Sequence, residues 1–262
     1  SIFDVVTKVI DNNELPWTNL MSVLMDSCAV MRGPKCGVEV RLREKAPQLL
    51  DIDGDSCHHI HNAVRQLCKP FDYHVEGLLG DLHNDFKWSS DLRERLEEIC
   101  FFLGVKYTAP ERFVSHRWLS CYDVGISTSR TMDAYPVFYY GLLNKENKSV
   151  YLATVMQIYH KLEVSPEVRE NIRNIHQKLQ EKRKTLSKDG IDWKMRIVKK
   201  LFFLRPQTTS TLQFYLAVLP VFKHYILIFE MKEPKIHKLY DKQADIITEF
   251  FSYFIRPELL QD

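Results

Sequence analysis

The stretch Leu15-Pro16-Trp17-Thr18-Asn19-Leu20-Met21-Ser22-Val23-Leu24-Met25-Asp26-Ser27-Cys28-Ala29-Val30-Met31-Arg32-Gly33 decides between an all-helical chain and one that carries a sheet. Leu20–Met25 is a short, almost continuous apolar run, too short for an ordinary helix and suited to a strand covered on both faces. It stops at Asp26, where small residues and then Gly33-Pro34 turn the chain. A carboxylate at the C-terminal end of a buried strand is where α/β folds place catalytic and metal-binding groups. The plainer reading is that Asp26 caps the following turn.

Outward from this stretch the reading is a strand, a helix, a second strand and a second helix. Val38–Arg43 suits a short helix, and Gln48-Leu49-Leu50-Asp51-Ile52-Asp53 is the second strand candidate. A helix from about Cys57 to Cys68 follows, halted by Pro70. On the N-terminal side, Ile2, Val5, Val6, Val9 and Ile10 have helical spacing. Two strands do not make a stable sheet. Partners must come from elsewhere, and because the chain opens with Ser1 rather than Met they are expected upstream, in a longer protein.

Beyond Pro70 the periodicity is helical. Val75, Leu78, Leu79, Leu82 and Phe86 form one stripe, and Leu92, Leu96, Ile99, Phe102 and Leu103 form the next, with Gly104 placed to end it. Further helices are expected over Met132–Leu143, Val150–Leu162, Ser165 to about Leu186, Trp193–Leu204, Leu212–Met231 and Tyr240–Ile255, with Pro220 interrupting or kinking the penultimate one. The expected fold is therefore mainly α with a small α/β part. The expected domains are residues 1–70 and 71–262.

The 262 residues are 45% hydrophobic and 27% charged, which excludes a disordered or collagen-like chain. Lys and Arg number 36 against 34 Asp and Glu, so the net charge of +2 does not itself indicate a nucleic-acid partner. The charge is segregated, however. Residues 70–98 hold 3 basic and 8 acidic side chains, while residues 164–205 hold 12 basic and 5 acidic ones. The basic run, including Lys182, Arg183, Lys184, Lys199 and Lys200, is either a solvated helix face or a phosphate-contacting one.

The six cysteines form no close C-x-x-C pair, and their pattern suits reduced thiols in a cytosolic or nuclear protein. Cys57 and His61, four apart on a helix, could share a metal, with Cys68 as a third ligand, but a closed zinc site needs about four ligands and no second pair is evident. No metal site and no cofactor are expected. No signal peptide or apolar run of about 18 residues is evident, so no membrane span is expected. Arg112-Phe113-Val114-Ser115-His116-Arg117-Trp118-Leu119-Ser120-Cys121-Tyr122 sets a cation beside a Trp, an arrangement suited either to base stacking or to a core Trp with a paired Arg.

Taken in order, Leu15–Leu20, Met25–Gly33, Pro47–Ile52, Cys57–Ala63 and Arg117-Trp118-Leu119-Ser120 resemble the hAT transposase superfamily, and its domesticated, transposon-derived members above all. Glu233-Pro234-Lys235-Ile236-His237-Lys238-Leu239-Tyr240 resembles the late part of that family's helical insertion. The resemblance implies a partial RNase H-like fold followed by a large helical insertion domain. It makes Asp26 the second carboxylate of an Asp-Asp-Glu triad, now vestigial. It makes His58 the His of a Cys-x-x-His element, and Arg117 and Trp118 the pair that steadies an extruded base. In the family two divalent cations, Mg²⁺ or Mn²⁺, serve DNA strand cleavage.

The departures from the pattern bear on activity. Ser27 stands where the family has Gly, and Asp55 where it has the Cys of Cys-x-x-His. The first Asp would precede Ser1. Glu249-Phe250-Phe251-Ser252 lacks the Arg of the closing Glu-Arg-x-Phe-Ser and reads as helix surface or core edge. The resemblance therefore implies a catalytically inactive nuclear protein, associated with DNA, other nuclear proteins or itself, without a membrane. The alternatives are the middle of an active metal-dependent transposase, and a helical interaction scaffold without nucleic-acid binding.

Overall fold

In a computed structural model, residues 1–50, 55–114, 117–230, 236–256 and 259 are described. Helices dominate them, in the order α1 (Ile2–Asn12), α2 (Ala29–Arg32), α3 (Val38–Lys45), α4 (Ser56–Cys68), α5 (His74–Phe86), α6 (Ser90–Phe102) and α7 (Ser120–Thr131). Then come α8 (Ala134–Gly141), α9 (Lys145–Lys161), α10 (Pro166–Lys184), α11 (Lys188–Val198), α12 (Arg205–Phe229) and α13 (Leu239–Ser252). The mainly helical expectation holds, and most boundaries fall within a turn of those read from periodicity. The local signals behind them are visible in the structure. Ser89 and Ser165 accept hydrogen bonds from the backbone N–H groups of Leu92 and Val168, and Gly104 takes the left-handed φ of +65° that ends α6.

The two expected strands do not form among the described residues. No β-strand occurs among the described residues, and the α/β part expected in residues 1–70 is extended chain and helix instead. Residues 20–27 and the segment before 51 run in extended or turn conformation and touch through one backbone hydrogen bond, Leu50 N–H to Met21 O at 2.8 Å. The Gln48 side-chain amide adds bonds to the Trp17 and Leu20 carbonyls at 2.6 and 3.1 Å. A strand is defined by a ladder, and a single rung leaves most backbone groups to water or side chains. The rest of the second strand candidate, Asp51-Ile52-Asp53, lies outside the described residues. Met25 and Leu49 nonetheless pack with Val38 and Leu42 of α3 into a small core of their own. The other side of this segment is open, with Leu24 at 67% and Met21 at 50% exposure.

Two larger cores occupy the helical body, and α5 is common to both. Leu78, Leu82 and Phe86 point to the first, with α6, α8, α9, α10 and α11. Val75 and Leu79 point to the second, with α4, α7, α12 and Ile246 of α13. The two sets follow i, i+4 spacing on adjacent faces, so α5 is buried over a wide arc. Phe86 meets Tyr135, Phe138 and Tyr139 of α8 at ring-centre distances of 6.4, 5.2 and 6.3 Å. Gly141 lets α8 close on α10, because a Cβ there would sit 2.7 Å from Leu179 Cδ1.

Two helices differ from the sequence reading. α7 was not evident in the pattern, since Gly125 and its Ser and Thr residues mask the apolar period. Its glycine serves contact, with a Cβ there 3.3 Å from Leu212 Cδ1 of α12. α12 is continuous through Pro220, so of the interruption or kink expected there the interruption does not occur. By length and composition α12 is also long and apolar enough to cross a membrane. In this fold it packs against α4, α5, α7 and α13 as the central helix of the second core.

Candidate functional site

The residues singled out by sequence order do come together at one place. Asp26 follows the extended segment, and its Oδ1 accepts the Cys28 N–H at 3.2 Å, the turn-capping role that its position suggests. The same oxygen lies 3.3 Å from His58 Nε2 on the first turn of α4. Asp55 caps that turn, with Oδ1 accepting the Cys57 N–H at 2.9 Å. One turn further along α4, burial holds the His61 imidazole below its ordinary pKa, while Glu230, His58, Arg117 and Asp55 act on it through their charges. Four stretches far apart in sequence thus meet around the start of α4.

The Arg-Trp-x-Ser element divides its labour. Ser120 Oγ accepts the Val114 N–H at 3.0 Å, and Ser115 and His116 lie outside the described residues. Arg117 is exposed beside the His61 neighbourhood. Trp118 is 7% exposed and belongs to the second core, its ring centre 5.2 Å from Tyr73 and 5.5 Å from Phe113. A ring with both neighbours in place is not a platform for a base, so the stacking role implied by the resemblance would require Trp118 to leave its packing. Arg117 is the half of the pair that a ligand can reach.

Metal binding at this place requires more than the described side chains offer. Asp26 is a single carboxylate at the end of the extended segment, and no group of three His, Cys, Asp or Glu side chains converges among the described residues. Two divalent cations bridged in the manner of strand cleavage do not fit this set. Cys57 does not extend it either. Burial, and the charge of Asp55, push its thiol up to about 11, and no second and third ligand stands beside it among the described residues. Glu249 and Phe250 lie on α13, where Phe250 packs against Phe222 at 5.4 Å, a core-edge position. Glu233, Pro234 and Lys235 lie outside the described residues.

The basic run behaves differently from its appearance in the sequence. Lys194 Nζ lies 2.5 Å from Asp85, while Lys200 and Arg196 lie 3.7 Å from Asp81 and Lys182 3.7 Å from Asp91. The acidic segment on α5 and α6 therefore faces the basic segment on α10 and α11, and much of the charge that looked segregated is paired across helices. Lys184 pairs with Glu181 on its own helix at 2.7 Å. Burial lowers the Lys200 pKa although Asp81 opposes this, so Lys200 is an internal group rather than a free phosphate contact. Lys199 is exposed, and Arg183 is half-buried beside Asn144 and Asn147.

A further group of cations lies in a groove of about 470 Å³ between α9 and α10. Lys148, Arg169 and Arg173 line it over Tyr140 and Tyr159, and its lining contains no carboxylate. The sequence reading missed it because Lys148 and the tyrosines lie outside the basic run, and no local pattern joins them to α10.

Comparison with protein families, with curated proteins and with solved structures finds no match to this chain.

Proposed function

We propose that this chain is the central part of a transposase-derived protein of hAT type, a remnant of an RNase H-like core joined to a helical insertion. It acts in the nucleus as a DNA-associated or protein-interaction module and cuts no DNA by itself. The observation that carries the reading is the contact between Asp26 and His58 at 3.3 Å, since two motifs chosen for their order along the chain meet in space, and Arg117 acts through its charge on His61 one turn further along α4. The apolar, one-sided cover of Leu20–Met25 also favours a segment suited to a sheet covered on both faces. The inactive form of the reading rests on Asp26 having no converging set of three His, Cys, Asp or Glu side chains around it among the described residues.

The test is a DNA-binding and cleavage assay on the purified chain. Binding that falls steeply with salt, and no cleavage in Mg²⁺ or Mn²⁺, is the expected result. Metal-dependent nicking that disappears in Asp26→Ala would revive the active transposase. Failure to shift any DNA at low salt, with a stable protein complex recovered instead, would leave a helical scaffold.

A further inference from the structure

We infer that the groove between α9 and α10 is a binding site for a nucleotide unit, with the phosphate held by Lys148, Arg169 and Arg173 and the base laid against Tyr140 and the apolar rim. The inference rests on the nucleic-acid arm of the proposed function and gives it a location.

Charge selects an anion here. Lys182, Lys184, Lys194, Arg196 and Lys200 all have carboxylate partners. In the groove Lys148 has no carboxylate partner among the described residues, and its Nζ stands 5.5 Å from the Tyr140 ring centre. Burial, and the charge of Arg183, lower its pKa, so an anion beside it would relieve an existing strain. Arg169 is aimed by structure. Its Nε donates to the Val164 carbonyl at 3.1 Å, and its guanidinium stands 5.5 Å from the Tyr159 ring centre. Arg173 pairs only with Glu170, at 2.5 Å on the exposed side of α10 and outside the lining.

Shape and polarity select a flat, partly apolar ligand. Leu152 and Met156 line the groove and are 47% and 43% exposed, so apolar surface stands open beside the three cations. Tyr140 is half-buried with its ring 5.6 Å from that of His176. His176 Nε2 pairs with the Val137 carbonyl at 2.8 Å, and burial holds its pKa down at about 4, so it forms a neutral wall at physiological pH. Burial keeps the Tyr159 phenol protonated, with a pKa of about 12. Cations flanking aromatic and apolar surface are the elements that hold single-stranded nucleic acid without reading its sequence. The volume suits one nucleotide with its phosphate.

The full chain is titrated with fluorescein-labelled dT12, with dTMP and with poly-glutamate. Lys148→Gln/Arg173→Gln and Tyr140→Leu are compared with the surface control Lys8→Gln on α1, all checked for folding by circular dichroism. The expected result is that dT12 binds, that each groove variant weakens it about tenfold, and that the control leaves it within about twofold. The double variant should also show a shallower salt dependence. Binding of dTMP with the same variant pattern assigns the site to free nucleotides, and binding of dT12 alone assigns it to a strand. Binding of dT12 that is indifferent to both groove variants overturns the groove while leaving the DNA-associated reading intact. Absence of binding to dT12, dTMP and duplex DNA overturns both. Poly-glutamate binding as tight as that of dT12, with the same loss in the variants, overturns the nucleotide in favour of an acidic peptide.

Discussion

Lys194 Nζ and Asp85 Oδ1 lie 2.5 Å apart across α11 and α5, with side-chain exposures of 8% and 9%. The second Asp85 oxygen accepts the Tyr139 hydroxyl at 2.7 Å, so the carboxylate is satisfied on both sides. A buried pair of this kind stabilises little compared with an apolar replacement, but removal of one partner leaves a charge without compensation.

Lys194→Met should therefore destabilise the chain by about 3–5 kcal/mol, measured by urea denaturation. The double change Lys194→Met/Asp85→Leu should restore much of that loss, apart from the Tyr139 hydroxyl left without its acceptor. Two additive single losses would mean that the pair is not coupled.

Trp118→Ala should cost about 3–5 kcal/mol through the cavity it opens beside Tyr73 and Phe113, while Trp118→Phe should cost less. Thermal melting checks both. If Trp118→Ala melts like the parent and loses affinity for single-stranded DNA, the ring is a stacking platform after all.

His176 makes stability depend on pH. Its folded pKa of about 4 lies below the ordinary 6.5, so below pH 6.5 the unfolded chain takes up a proton that the folded chain refuses. This contribution is complete above pH 6.5 and is lost as pH falls toward 4, up to about 3 kcal/mol in all. Unfolding free energies measured from pH 7 to pH 4 should show the slope, and His176→Gln should flatten it.

Glu76 runs the other way. It is 4% exposed and burial raises its pKa, although the neighbouring Cys68, Tyr215 and Lys200 oppose the rise. A raised carboxyl favours the folded state at low pH and costs stability as pH climbs through its folded value. Glu76→Gln should accordingly raise stability at pH 7 by about 1 kcal/mol, and the gain should vanish near pH 4. A loss at pH 7 in chemical denaturation would show that the carboxylate has a compensating role near Lys200.

The legible parts of this molecule were those set by local rules. Ser165-Pro166 starts α10, Gly104 ends α6, and the stripe from Val75 to Phe86 is α5, because capping, left-handed backbone and period depend on neighbours in sequence. The strand expected at Leu20–Met25, and the described part of the one expected at Gln48–Asp53, are not strands although their local pattern is that of a strand, because a strand exists only if a neighbour completes its ladder. α7 escaped notice because its Gly125 answers to Leu212 on another helix. In the candidate site, Asp26, His58 and Arg117 could be picked out by order along the chain. The groove of Lys148 and Arg169 could not, and neither could the pairing of Lys194 with Asp85, since each depends on which helices become neighbours.

The position of α5 between two cores also sets how the molecule comes apart. Val75 and Leu79 cannot leave one core without drawing Leu78 and Leu82 from the other, so the α5 amides should exchange their hydrogens only when the whole helical body opens. The small core of Met25, Val38, Leu42 and Leu49 shares none of these residues. Its amides should exchange through a cheaper, local opening, making residues 1–50 the first part of the chain to become accessible to proteases or to a partner.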